Sequence, residues 1–162
     1  MDIIIRRVSL EDLDGVAEVE ESCFPKAEAA TKTSLEQRIK TFPDSFFLAE
    51  VNEEIIGFIN GCITNKKIIC DELFSDVTLH IPNGDYQTIF GLDVISAYRS
   101  QGIAAQLMNY FIEITRLAGR KGVILTCKEG LIQYYSKFGF KNKGLSKSEH
   151  GGSEWYDMIL EF

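Results

Sequence analysis

The run Leu92-Asp93-Val94-Ile95-Ser96-Ala97-Tyr98-Arg99-Ser100-Gln101-Gly102-Ile103-Ala104-Ala105-Gln106-Leu107 carries its chemistry on the backbone. A β-like stretch, Ile89 to Val94, enters a short polar turn that ends in Arg99-Ser100-Gln101-Gly102-Ile103-Ala104. An amphipathic helix then begins without a proline or a break. A helix start leaves several N–H groups without internal partners and puts the positive end of the helix dipole behind them. Such a place binds phosphate. Gly102 and Ala104 have almost no side chain, so a pyrophosphate can approach the backbone closely. There is no Gly-Lys-Ser/Thr, hence no lysine for a γ-phosphate and no hydroxyl for Mg²⁺. There is no Gly-x-Gly-x-x-Gly of the dinucleotide type either. An ordinary strand-to-helix turn has the same outline, so the neighbouring elements must decide.

Those elements read as follows. Ile3 to Ile5 is a short strand. Ser9 caps a helix that carries Leu10, Leu13, Val16, Ala17 and Phe24 largely on one face and ends at Pro25. Residues 25 to 33 have no period and read as a loop. Thr33 and Glu36 form a capping box for a second helix, which stops before Pro43. Ser45 to Val51 and Ile55 to Thr64 are strands joined by a turn at Asn52-Glu53-Glu54. Residues 65 to 86 have no clear pattern. Ile89 to Val94 is the central strand. The helix from Gly102 to Ala118 repeats Ile103, Leu107, Phe111, Ile114 and Ala118 along one face, with Gly119 as its cap. Val123 to Cys127 is a buried strand, Glu129 to Lys137 a short helix, and Glu154 to Leu160 a closing strand. The order predicts a mixed α/β domain over residues 1–162, mostly antiparallel, with a βαβ unit at the phosphate turn.

The chain has 162 residues, 45% of them apolar and 25% charged, as in a soluble globular domain. Its net charge of −7 argues against general binding to nucleic acid or anionic membrane, which requires cationic surface. It suits a cationic partner such as an amine. Cys23, Cys62, Cys70 and Cys127 are widely spaced and show neither a zinc pattern nor a disulfide framework, so no metal is expected. No signal peptide or membrane-length segment appears, and a cytoplasmic location is expected.

The segment Arg99-Ser100-Gln101-Gly102-Ile103-Ala104 resembles the acyl-CoA loop of the GNAT superfamily of N-acetyltransferases, Arg/Gln-x-x-Gly-x-Gly/Ala. Tyr135-Ser136-Lys137-Phe138-Gly139-Phe140 is similar to the Tyr-x-x-x-Gly-Phe ending of that family's last helix. The resemblance covers Ile4 to Leu160 and implies the GNAT fold. Within the superfamily the chain looks closest to arylalkylamine N-acetyltransferases and their bacterial relatives. The looser matches are Val77 to Gly84, Leu125 to Glu129 and the Cys23 to Thr31 loop.

The resemblance implies acetyl-CoA as co-substrate. Leu92, Asp93 and Val94 pair with its pantetheine arm through their backbone, like an added strand. Arg99, Ser100, Gln101, Gly102, Ile103, Ala104 and Ala105 hold its phosphates. Tyr135, beside the CoA sulfur, becomes a general acid. A phenol of pKa about 10 can hydrogen-bond or protonate a departing thiolate whose thiol has a pKa of about 8.5. Read from the residues alone, Tyr135 is equally a core tyrosine sharing a face with Leu131 and Ile132. Tyr134 lies one step round the helix.

One departure concerns the base. Thr88 and Phe90 stand where vertebrate members carry two histidines on the central strand. His80 and His150 sit near turns, as solvated residues do. Glu28, in the loop expected to fold over the acceptor, is the candidate base and amine anchor; Asp71 and Glu72 are alternatives. Alternation sets Asp93 opposite Leu92 and Val94, and its expected state is a carboxylate satisfied by loop N–H groups. Phe24, Phe42, Phe46 and Phe47 are expected in the core rather than in an aromatic pocket. Arg116, Arg120 and Lys121 suit the C-terminal end of the long helix and are also within the sequence's reach of CoA phosphates.

The function expected is acetyl transfer to a small primary amine by direct attack in a ternary complex, by a monomer or homodimer. Acetylation of a protein or peptide, and a non-catalytic acyl-CoA sensor, are the alternatives. A covalent route through Cys127 finds no neighbouring histidine in the sequence.

Overall fold

A computed structural model describes residues 2–162, which divide into two units, each built on its own sheet. The first unit takes the chain up to Gly61 and returns for Gly91–Phe111; the second takes Cys62–Phe90 and Ile112–Phe162.

The first unit holds β1 (Ile4–Arg7), α1 (Leu13–Cys23), α2 (Lys32–Thr41), β2 (Phe46–Val51), β3 (Glu54–Asn60) and β6 (Gly91–Val94). Its sheet runs β1-β2-β3-β6, with every pairing antiparallel. β6 is therefore an edge strand of this sheet. The β2–β3 turn places Asn52 and Glu53 at φ 50° and 68°, the backbone that matches strand twist in a two-residue hairpin. Val16, Val19, Leu35, Ile39, Phe46, Leu48 and Phe58 form the core under α1 and α2. Phe42, Phe46 and Phe47 are buried as expected, whereas Phe24 is half-buried.

Ser9 opens the first helix as predicted. Its N–H donates to Asp12 at 2.8 Å, and Arg6 clamps the same carboxylate at 2.7 and 2.9 Å. The second helix is capped by Thr31, whose hydroxyl accepts from Ser34 N–H, and not by Thr33. The helix thus starts earlier than the capping-box spacing implied.

The second unit holds β4 (Ile63–Thr64), α3 (Glu72–Ser75), β5 (Tyr86–Ile89), β7 (Gly122–Cys127), α5 (Ile132–Ser136), β8 (Lys141–Leu145) and β9 (Tyr156–Glu161). The order is β4-β5-β7-β9-β8, antiparallel except for β5 beside β7. Helix α4 (Ile103–Leu117) lies between β6 and β7 in sequence and completes the β5-to-β7 parallel crossover. Ile103, Leu107, Met108 and Phe111 are its buried stripe, and Gly119 closes it at φ 77°.

The mixed α/β reading holds, with three corrections. Ile89 to Val94 is not one strand. Phe90 separates β5 from β6, and the two belong to different sheets. Ile55 to Thr64 breaks likewise at Gly61-Cys62, where Gly61 N–H bonds Ser45 O and Cys62 O accepts from Thr88. Strand β8 has no counterpart in the sequence reading: it is a lysine-rich, largely exposed edge, and its polarity hid it.

Candidate functional site

The predicted phosphate turn lies wholly in the first unit. After β6 a single 3₁₀ turn (Ser96–Tyr98) leads to Arg99, and α4 starts at Ile103. Arg99 Nε donates to Val94 O at 2.9 Å, Tyr98 N–H to Ile95 O at 3.0 Å, and Gln101 Nε2 to Ala97 O at 3.4 Å. The turn is therefore folded on itself. Ser100 and Gly102 take φ of 62° and 80°. Nothing lies within 4 Å of where a Cβ at Gly102 would point, so glycine is required there by backbone sign and not by crowding. Arg99, Ser100, Gln101 and Gly102 are exposed, Ala104 and Ala105 half-buried, and Ile103 is buried as the anchor of the first helical turn. The result is an open rim of helix-start N–H groups beside the edge strand β6. Leu92 is half-buried on that strand, while Asp93 and Val94 are buried.

Asp93 departs from expectation. It is 1% exposed, and neither carboxyl oxygen has a hydrogen-bond donor from the loop or elsewhere among the described residues. Around it lie Glu20 of α1, Arg38 of α2 and Asn60 of β3, all buried. A Cβ at Gly91 would stand 3.1 Å from Asp93 Oδ1, 3.6 Å from Asn60 Nδ2 and 3.8 Å from Glu20 Oε1. Three polar atoms thus converge over one glycine. Asn60 Oδ1 accepts from Arg38 at 3.2 Å, but Asn60 Nδ2 has no acceptor. Glu20 Oε2 accepts the Ala30 N–H at 2.7 Å and so ties down the loop after α1. Burial first, then the charge of Glu20, hold the Asp93 carboxyl well above the usual carboxylate range, against a smaller opposing pull from Arg38. Two carboxylates cannot hydrogen-bond each other; one shared proton supplies the missing donor.

Sequence reasoning missed Glu20, Arg38 and Asn60 as members of a site. A signal was present. Glu20 falls four residues after Val16 on the buried stripe of α1, and Arg38 sits beside Leu35 and Ile39 on that of α2. Glu28, the predicted base, is half-buried; its N–H donates to Pro25 O at 2.9 Å within the tied loop.

Tyr135 belongs to the second unit. It is half-buried on α5, edge-on to Tyr134 at 5.3 Å and to Phe140 at 6.2 Å between centroids. Burial pushes the Tyr134 phenol up. The Cys127 thiol is buried and pushed up to about 11, so it stays protonated and is a poor nucleophile near neutrality. Thr88 is committed to its own sheet, its hydroxyl donating to Cys62 O at 2.9 Å. Phe90 packs on Phe74 at 4.8 Å.

Both histidines are half-buried and engaged by protein groups. His80 Nδ1 accepts from Ile63 N–H at 3.0 Å, and burial, then Arg120, lower its pKa. His150 stacks on Phe74 at 5.0 Å. The basic cluster is engaged too. Arg120 donates to Gly84 O at 2.7 Å and Pro82 O at 3.2 Å, Lys121 pairs with Asp85 at 3.4 Å, and Arg116 lies 4.5 Å over the Phe162 ring. Asp71 accepts from Ser148 Oγ and from Glu149 N–H, so it serves as a loop tie. Among the described residues no cluster of His, Cys, Asp and Glu could hold a metal, and no helix is long and apolar enough to cross a membrane.

Residues 13–140 match the model of the acetyltransferase (GNAT) family. Of the curated relatives, "Probable hydrolase YhcX" of Bacillus subtilis is 26% identical over 99% of this chain and 32% of its own length. The serotonin N-acetyltransferase of Mesocricetus auratus is 29% identical over 56% of this chain and 42% of its own. The chain thus spans less than half the length of either relative. Of the solved structures, the loading GNATL domain of CurA from Lyngbya majuscula superposes with a TM-score of 0.84 at 16% identity, over 99% of this chain and 98% of that one. The GphF GNAT-like decarboxylase in complex with isobutyryl-CoA gives 0.80 at 19% identity, over 98% of both chains.

Proposed function

Since the chain belongs to the acetyltransferase (GNAT) family, we propose that it transfers an acetyl group from acetyl-CoA to the primary amine of a small molecule, an arylalkylamine being the first class to test. The observation that carries the reading is the exposed turn at the start of α4, with Ser100 and Gly102 at positive φ beside an edge strand. The N–H groups of Gln101 to Ala105 hold the pyrophosphate, Arg99 and Ser100 shape the turn, and the backbone of Leu92, Asp93 and Val94 receives the pantetheine arm. CoA-bound structures of the same fold support acyl-CoA as co-substrate. The two units work as one transferase domain over residues 1–162, in keeping with a family match that runs through both.

The amine attacks the thioester directly in a ternary complex. The protonated, buried Cys127 speaks against an acyl-enzyme. Tyr135 gives its phenolic proton to the departing thiolate, and Glu28 attracts the cationic amine and starts its proton on its way through water. Tyr135→Phe then lowers kcat by about 10²–10⁴-fold and leaves acetyl-CoA affinity unchanged. Wild-type turnover in that variant, with chemistry rate-limiting, removes Tyr135 from the mechanism.

CoA release measured with a panel of small amines and amino-terminal peptides tests the substrate class. Turnover of arylalkylamines well above that of peptides is expected. Preference for peptides overturns the small-molecule reading, and binding of acetyl-CoA without turnover of any acceptor points to a sensor.

A further inference from the structure

We propose that Asp93 and Glu20 form one proton-sharing carboxyl pair that receives the proton given up by the attacking amine. The proposal rests on the acetyltransferase reading above and assigns that reaction's proton a destination. Four elements bring the pair together inside the first unit: α1 with Glu20, α2 with Arg38, β3 with Asn60 and β6 with Asp93. The groups facing Asp93 are Glu20 and Cys23 from α1, Arg38 from α2 and Asn60 from β3. Gly91, on the same strand, leaves a notch bounded by Asp93 Oδ1, Asn60 Nδ2 and Glu20 Oε1.

Burying unpartnered polar groups costs stability, so a purely structural role gives no reason to keep them. Here the donor Asn60 Nδ2 has no acceptor, and beside the same notch Asp93 has no donor other than the proton it shares with Glu20. A group that accepts one hydrogen bond and donates another satisfies both at once, and water does so. The Ala30 N–H on Glu20 fixes the pair to the loop that carries Glu28, which links amine capture to proton removal. Arg38, bonded to Asn60, offsets the negative charge that the pair gains when it gives up its proton.

The step balances. The accepting form is the pair after its shared proton has passed to solvent. As the amine adds to the thioester carbonyl, its N–H bond breaks and the electron pair stays on nitrogen. The proton forms an O–H bond within the pair, whose negative charge falls by one. The C–S bond then breaks and the thiolate takes the Tyr135 proton. After product leaves, solvent exchange restores both residues. A carboxyl pair that holds a proton more tightly than an exposed carboxylate is better matched to an amine near neutral pH than a loop glutamate alone.

The test compares wild type with Asp93→Asn and Glu20→Gln, using acetyl-CoA and phenethylamine, and follows kcat/KM against pH. Any titration of the amine itself is common to all three profiles. In Asp93→Asn the wild-type rising limb set by the pair should vanish, and kcat should fall about 10²-fold. KM for acetyl-CoA should hold within twofold. In Glu20→Gln the limb should move to lower pH, because Asp93 has lost a neighbouring charge. Profiles superimposable on wild type in shape and height overturn the pair. If the variants do not fold, carbon-13 NMR titration of the Asp93 carboxyl in wild type decides. Titration with the ordinary midpoint near 4 overturns the proposal, and a midpoint well above it supports it. A wild type that turns over no amine in the panel overturns the acetyltransferase reading and the pair's role with it; active wild type with unchanged variants overturns the pair alone.

Discussion

Gly102 and Gly91 stand on either side of β6's outflow into the turn, and they are glycine for opposite reasons. Gly102 has a φ of 80° and empty space where a Cβ would be. Gly91 carries no such backbone demand, but a Cβ there would crowd Asp93 Oδ1 at 3.1 Å and point at Asn60 and Glu20. One glycine sets the local backbone shape of an exposed turn. The other makes room in a buried polar cluster assembled from four elements. A local demand leaves a trace in neighbouring residues; a tertiary one does not.

Substitution separates the two demands. Gly102→Val should have the largest effect. A β-branched residue at positive φ costs about 1–3 kcal/mol of strain, which the turn relieves by moving its N–H groups. Acetyl-CoA affinity is expected to fall about 100-fold or more by calorimetric titration, a loss of roughly 3 kcal/mol. The circular dichroism spectrum should be unchanged.

Gly91→Ala should act oppositely. Overpacking against Asp93 should cost about 1–2 kcal/mol in denaturant titration and reduce turnover, while acetyl-CoA still binds as in wild type. Lost affinity in Gly91→Ala would erase the distinction between the two glycines.

Arg120→Gln checks that the basic residues beyond α4 are structural. Loss of its bonds to Gly84 O and Pro82 O should lower stability by about 1–2 kcal/mol, with KM for acetyl-CoA unaltered. A raised KM would return Arg120 to the cofactor site.

The smallest effect is a tilt with pH. Asp93 has a raised pKa in the folded state, so between about pH 4 and that raised value the folded chain binds a proton that the unfolded chain has released. Stability contributed by this group is complete below pH 4 and is lost as pH rises through the folded pKa. Asp93→Asn removes the dependence. Its Tm relative to wild type should therefore rise as pH climbs from about 4 to the folded pKa and level off above it. Asp12 has the reverse sign. The Arg6 guanidinium, through its hydrogen bond, lowers the Asp12 pKa, so its contribution is present above pH 4 and lost as pH falls. A flat difference between Asp93→Asn and wild type would mean that Asp93 is an ordinary carboxylate in the fold.

The sequence made legible what neighbouring residues decide. The turn from Arg99 to Ala104, the Ile103-Leu107-Phe111 part of the α4 stripe, the Ser9 start and the Gly119 end are local features, and the structure has them where the pattern put them; further along the expected stripe Ile114 is half-buried and Ala118 exposed. The break at Phe90 was hidden because Ile89-Phe90-Gly91-Leu92 is continuously apolar and carries no turn residues. What divides it is the partner side, where β3 stops and β4 begins around Gly61-Cys62. Strand β8 was hidden by lysines that suit an exposed edge. The histidines misled in the other direction: proximity to a turn suggested solvent, but His80 accepts a backbone N–H and His150 stacks on an aromatic ring. Glu20 and Arg38 were visible as charges on apolar stripes, yet only the fold brings them to Asp93.

In the proposed mechanism, backbone N–H groups at the start of α4 hold the phosphates of acetyl-CoA. Titration of nitrogen-15-labelled protein with acetyl-CoA, followed amide by amide in NMR, tests it most directly. The amides of Gln101 to Ala105 should show the largest downfield shifts and saturate together at one stoichiometric equivalent. Saturation with those amides unmoved, and with the shifts gathered instead around Arg116, Arg120 and Lys121, would contradict it.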